Sequence, residues 1–213
     1  MISIKFRFTK ALAFGMMEAE VIFMDYKLYQ RSRDLAWEIL LREGVRELPV
    51  DVLALCRRLG VRVVWYDGTR EGAGDGFSVI VDGVPHICIE RGKSVQRTRF
   101  TVAHELGHIL LGHVGVHTLV NREPSVKDNP VEQAANVFAA RLLAPACVLW
   151  GCGVCSRAEI AALCGISDTA AGYRWARMQT LFERGKFCQS PVERRVYHSF
   201  SKFILNYRRH RDR

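Results

Sequence analysis

The segment His104-Glu105-Leu106-Gly107-His108 carries two imidazoles four residues apart, with a carboxylate beside the first. On an α-helix this spacing puts both rings on one face, about one turn apart. Both can then ligate a single metal ion, and neutral histidine nitrogens suit Zn2+. Glu105 can reach a water held by that metal without being a ligand. The flanks Phe100-Thr101-Val102-Ala103 and Ile109-Leu110-Leu111 are apolar, as in a buried helix. Two histidines and a carboxylate are costly there unless they are paired.

A catalytic zinc takes three protein ligands and keeps one position open. A third histidine in the pattern H-E-x-x-H-x-x-G-x-x-H needs Gly at 111 and His at 114, but the chain has Leu111 and Val114. His113 falls about 140° off the ligand face and is expected to be a helix-end residue. The remaining candidate is Glu132, which begins the next helical segment. The small residues Ala134, Ala135, Ala139 and Ala140 beside it would let its helix lie close against the histidine helix. Asn136, one turn later, would accept a hydrogen bond from a ligating imidazole and fix its tautomer.

The elements that must position these groups follow from pattern. Leu35, Ala36, Ile39 and Leu40 share one face of a helix over 29–44, which stops at Gly44. Pro49-Val50-Asp51 opens a second helix that ends at Gly60, and Val61–Tyr66 reads as a strand. After a Gly/Asp-rich loop, Asp67 to Gly76, residues 77–81 and 85–89 flank Asp82-Gly83 as an antiparallel hairpin. Helices are expected over about 94–113, 131–144, 157–164 and 168–182, with a polar loop from Asn121 to Asn129. The fold class is α+β, a catalytic unit over 25–150 with a small mixed or antiparallel sheet, then a small helical region over 151–189. Pro85–Glu90 precedes the metal helix and is expected to be an edge strand. An extended peptide would add there along His86, Ile87 and Cys88. His86, Tyr173 and Arg97 are the candidate donors to an oxyanion.

Composition bounds the remaining possibilities. The 213 residues are 49% hydrophobic and 25% charged, enough for one sizeable core. Apolar runs are too short for a membrane span of roughly 18 residues. Seven cysteines, an odd number, point to reduced thiols and a cytoplasmic protein. Residues 1–24 faintly imitate a signal peptide, but Glu18 and Glu20 follow the apolar stretch at once. They are expected to be a leader or the product of a mis-assigned start. Residues 174–213 hold 11 Lys/Arg against 3 Asp/Glu. Electrostatic attraction therefore concentrates there, and the segment from about 190 is expected to be a basic, solvated tail.

Two weaker patterns stand beside the main one. Cys152-Gly-Val-Cys155 looks like a metal knuckle, with Cys147 and Cys164 nearby, but the wider spacing is irregular, and Cys164 falls on an apolar face. Residues 158–171 have a helix–Gly–helix rhythm, with Arg174 and Arg177 in the second helix. That rhythm suits DNA contact, yet it equally suits a helical appendage whose Trp175 and Phe182 are core contacts. Nucleic acid is a possible but disfavoured partner.

The stretch Arg99–His108, followed by Glu132-x-x-Ala135-Asn136-x-Phe138-Ala139-Ala140-x-Leu142-Leu143-x-Pro145, resembles the ImmA/IrrE family of zinc metallopeptidases. The resemblance covers roughly residues 30–181 and departs at Ala144, where the family commonly has Met. It implies a zincin-like fold, one Zn2+ per chain held by His104, His108 and Glu132, and Glu105 as general base. It also implies a protein substrate, a helix-turn-helix repressor whose cleavage derepresses mobile-element or stress genes. The alternative is a non-proteolytic regulatory module that binds a repressor or DNA. An intact Glu105 favours the enzyme, because a binding module needs no general base.

Overall fold

The computed structural model describes residues 26–67, 75–115 and 129–211. The leader expected over 1–24, most of the Gly/Asp-rich loop and nearly all of the Asn121–Asn129 loop lie outside these residues. The described chain opens with helix α1 (residues 26–42) and α2 (Val52–Arg58), followed by β1 (Arg62–Tyr66), β2 (Gly76–Val81) and β3 (Val84–Glu90). Helices α3 (Val95–Leu110) and α4 (Pro130–Leu143) come next. They are followed by α5 (Ala146–Cys152), α6 (Arg157–Cys164), α7 (Asp168–Glu183), α8 (Pro191–Ser199) and α9 (Ser201–Arg211). This is the expected α+β architecture, mostly helical with a small mixed sheet.

The sheet order is β1-β3-β2. β3 runs parallel to β1 and antiparallel to β2, with Ser78 opposite Ile87. The β2–β3 turn has positive φ at both Asp82 (50°) and Gly83 (75°), the turn geometry that matches strand twist in a two-residue hairpin. Gly76 and Ser78 of β2 are buried, as are Ile87 and Ile89 of β3. That face packs on α3.

The expectation of an edge strand at Pro85–Glu90 is corrected here. β3 is the central strand, so the backbone of His86, Ile87 and Cys88 is committed on both sides to β1 and β2. Ile87 is fully buried in the core. His86 and Cys88 alternate to the opposite face of the sheet, and His86 Nδ1 bonds to the carbonyl of Val84 at 2.9 Å. A peptide cannot add at these residues.

Helices α3 and α4 form the central pair. Each is capped at its start by a short polar side chain: Ser94 Oγ accepts from the Arg97 N–H, and Asn129 Oδ1 from the Val131 N–H. Gly107 sits where the two helices meet. A Cβ there would lie 3.0 Å from a ring carbon of Phe138 and 3.3 Å from the Ala135 backbone. The small residues on both sides are therefore a condition of the approach. Arg99 ties α3 to its surroundings, donating to the carbonyls of Val50 (2.9 Å), Gly165 (3.1 Å) and Cys164 (3.2 Å). Two of those carbonyls close the C-terminal end of α6, where a cation is favoured.

The segment from 190 is not a solvated tail. Ser190 caps α8, and Val196, Phe200 and Ile204 are buried in the same apolar cluster as α1, α3, α4 and α5. Gly151 on α5 makes room for them, since a Cβ there would come within 2.7 Å of Ile204 and 2.8 Å of Tyr197. The positive charge is real, but it sits on the outer faces of docked helices. Against the expectation that no segment is apolar enough for a membrane span, the helical stretch Pro130–Cys152 passes that test by length and composition, yet 72% of its most apolar 18-residue window is buried inside the protein. Pro145 divides it into α4 and α5, and it is core.

Phe200 is fully buried, so Phe200→Ala is expected to cost about 3–5 kcal/mol. Denaturant unfolding of the purified variant checks this. A loss under 1 kcal/mol would mean that α8 and α9 do not belong to the core.

Candidate metal centre

α3 delivers two imidazoles and α4 one carboxylate to the same point. His104 Nε2 and His108 Nε2 are 3.0 Å apart. Glu132 Oε2 lies 3.2 Å from His104 Nε2, and Glu132 Oε1 lies 3.2 Å from His108 Nε2. Both histidines are buried and Glu132 is partly exposed, so the trio is closed on the core side and open toward solvent. Among the described residues, this is the group of His, Cys, Asp and Glu side chains placed to hold a metal ion.

Each imidazole has its tautomer set from behind. Asn136, one turn after Glu132, accepts from His104 Nδ1–H at 2.9 Å, as its position on the helix predicts. The oxygen of an amide accepts and cannot donate, so His104 Nε2 carries a lone pair. His108 Nδ1 lies 3.1 Å from His113 Nδ1. Burial, followed by the neighbouring His108, pushes the His113 pKa down to about 4. His113 is thus neutral near pH 7, and in the tautomer that leaves a lone pair on its Nδ1 it accepts from His108 Nδ1–H, which frees His108 Nε2 to ligate.

Both Nε2 lone pairs then point at each other and at a carboxylate. Three electron-rich atoms at 3.0–3.2 Å repel unless a cation lies between them. Tetrahedral zinc, with bonds of 2.0–2.1 Å, sets ligand atoms about 3.3–3.4 Å apart. The donor set and its spacing fit that ion.

His113 is not a ligand, in agreement with its angular position, but its partnership with His108 was missed. Leu111 and Gly112 end α3 in a Schellman turn. Gly112 has φ +78°, the Gly112 N–H donates to the Ile109 carbonyl, and the His113 N–H donates to the His108 carbonyl at 2.9 Å. The turn folds His113 back over the last ligand. A Gly four residues after His108 with His next to it was the available signal.

Glu105 is buried, and Ser78 Oγ donates to its Oε2 at 2.6 Å. Ser78 is itself buried on the β2 face that packs on α3. It too was missed, because nothing in the sequence couples a strand serine to a residue 27 positions away. A charge-assisted bond of that length holds one carboxylate oxygen and fixes the plane of the group.

The other candidates are not brought to the trio. Arg97 lies two turns before His104 and pairs with Asp75. Tyr173 stands 78% exposed on α7, and His86 is on the far face of the sheet. The cysteines around 152 build no second centre. Cys147, Cys152 and Cys164 are buried and Cys155 is exposed, and among the described residues these thiols do not come together as a metal-holding group. The helix–Gly–helix rhythm is present as α6 and α7 around Gly165. However, Arg174 is buried and cannot reach DNA. Trp175 packs on the core as expected, whereas Phe182 is exposed and makes an edge contact with Phe187.

Residues 56–176 match the model of a peptidase family described as IrrE N-terminal-like domain. No curated protein matches the chain.

Glu132→Ala is expected to abolish stoichiometric metal binding. His113→Ala should retain it but weaken affinity about 10–100-fold, the usual loss when a ligand's hydrogen-bond partner is removed. Gly107→Leu should lower metal content as well, by forcing α4 away from α3. Metal analysis and competition with a chromogenic chelator, run on the three purified variants, separate these outcomes.

Proposed function

The chain belongs to the IrrE N-terminal-like peptidase family, and on that footing we propose that it is a zinc-dependent endopeptidase with Glu105 as its general base. The observation that carries this reading is the triangle of His104 Nε2, His108 Nε2 and Glu132 carboxylate oxygens, with edges of 3.0–3.2 Å. Those residues would hold one zinc ion per chain. Bound there, zinc supplies a water with a pKa near 7 and polarises a carbonyl oxygen.

Glu105 takes the proton of the attacking water and later gives it to the leaving amine. Its neighbour in sequence is a ligand, so the carboxylate is built into the same turn as the metal. The Ser78 hydroxyl holds Oε2 and so fixes how the carboxylate is oriented. A module that only binds would have no use for a buried glutamate held in this way.

An extended peptide needs an unpaired strand edge near the site. β3 has none. The outer edge of β2 pairs with no strand among the described residues, and β2 carries the Ser78 that touches Glu105. We assign substrate docking to that edge. The resemblance of the motifs around His104 and Glu132 supports a helix-turn-helix repressor as the substrate, whose cleavage would relieve repression.

Glu105→Gln is expected to keep zinc while lowering cleavage of a repressor by about 10²–10⁴-fold, and a chelator should stop the wild type. Full cleavage by the Gln variant would refute the assigned base. Ser78→Ala should lower kcat about tenfold with KM and zinc content unchanged, and Ser78→Thr should restore it. A gel-based cleavage assay at several substrate concentrations measures both.

A further inference from the structure

Five aromatic rings run in contact from the end of α7, across α5, to the end of α8. Phe182 meets Phe187 edge-on with centroids 4.9 Å apart, and Phe187 lies nearly parallel to Trp150 of α5, at 5.4 Å and 10°. Trp150 meets Tyr197 at 5.7 Å, and Tyr197 meets His198 at 5.9 Å. Phe187 and Tyr197 lean on the core, but Phe182 is 45% exposed, Trp150 38% exposed, and His198 lies in solvent. Apolar side chains scattered singly over a surface are ordinary. A connected run of rings offers stacking faces.

The charge around these rings has one sign. Arg184 and Lys186 fall between Phe182 and Phe187 in the chain, Arg194 and Arg195 precede Tyr197, and Lys202 opens α9. All five are exposed, and none forms an ion pair among the described residues. Of the two acids in the same stretch, Glu193 is buried and accepts from the Gln189 N–H at 3.0 Å, so only Glu183 is exposed. Past His198 the surface sinks into a groove of about 620 Å3 between the α1–α2 turn and α9, whose lining includes Arg46, Glu47, Ser201, Lys202 and Asn206. Beneath it Val196, Phe200 and Ile204 are buried, which fixes the helices that carry the charge.

We propose that this surface docks single-stranded RNA, with bases stacked on Trp150 and Phe182 and phosphates held by Arg184, Lys186, Arg195 and Lys202. Cations interleaved with rings suit a single strand, whose bases have free faces and whose backbone carries one charge per nucleotide. A duplex hides those faces in its own stack and would leave the rings unused. An anionic membrane needs several apolar side chains free to insert, whereas Leu205 is the exposed one on α8 and α9. The groove selects RNA over DNA. Glu47 repels phosphate, yet its carboxylate accepts from a hydroxyl, and Ser201 and Asn206 can both donate and accept. The ribose 2′-hydroxyl offers such a partner and deoxyribose does not. No metal ligand takes part, so the surface is independent of the peptidase reading.

The test is fluorescence anisotropy of a labelled RNA oligoadenylate of about 12 nucleotides, titrated with the full-length protein at about 50 and 200 mM salt. Unlabelled RNA, DNA of the same sequence, the RNA paired with oligouridylate, and phosphatidylglycerol vesicles serve as competitors. Saturable binding that weakens with salt is expected, with unlabelled RNA the strongest competitor. Phe182→Ala, at an exposed position, should weaken binding about 5- to 100-fold, the range for loss of one stacked base. Lys202→Gln should weaken it and flatten the salt dependence. Arg62→Gln, which removes the same charge from an exposed position on β1, should leave it unchanged. The proposal is overturned if the wild type shows no saturable binding or if Phe182→Ala binds as well as the wild type. Equal losses in Arg62→Gln and Lys202→Gln overturn it too, because net charge alone would then explain the attraction. Competition by DNA, duplex or vesicles as strong as by RNA also overturns it and identifies the other occupant.

Discussion

The structure is organised around a repulsion. Two imidazole lone pairs and a carboxylate are held within about a van der Waals contact of one another, and only a cation makes that arrangement favourable. The protein enforces it with rigid parts. Two of the donors share one helix, where the four-residue spacing fixes their separation, and the third depends on how closely a second helix approaches. That distance is set at Gly107, where one methyl group would already crowd Phe138 and the backbone at Ala135. The small side chains between α3 and α4 are therefore part of the metal site, although none of them ligates.

Around the trio, every supporting contact limits a choice of proton or orientation. Asn136 and His113 each hold a proton on the rear nitrogen of one imidazole, which leaves both front nitrogens as donors to a metal. Ser78 does the same kind of work for Glu105. These three residues come from a helix, a turn and a strand. The sheet thus contributes to the chemistry through a single hydroxyl, even though its central strand is closed to substrate.

Legibility in the sequence followed the range of the interaction. His104, His108 and Asn136 could be placed by helical spacing alone, and Glu132 by the small residues that follow it. The Asp82-Gly83 hairpin was readable because the turn chemistry is local. Ser78 was not, since strand order decides which strand faces α3. The same ignorance placed β3 at an edge. Helix α5 escaped because Ala146–Cys152 is apolar on all sides and has no amphipathic period. The segment from about 190 was misjudged for a different reason. Their charge drew attention away from Val192, Val196, Phe200 and Ile204, which recur at four-residue spacing, and from the Ser190 cap. Net charge describes the outer surface of a helix and says nothing about its inner face.

The docking of α8 and α9 has a consequence for how the molecule comes into being. The family match ends at 176, yet side chains at 196, 200 and 204 complete the packing around α5. A growing polypeptide that has already made every ligand still has a hole where these side chains belong. The core beside α5 therefore closes only after residue 204 has left the ribosome. Synthesis runs ahead of packing, and a chain cut short in its last helix keeps all three candidate ligands but lacks part of its core.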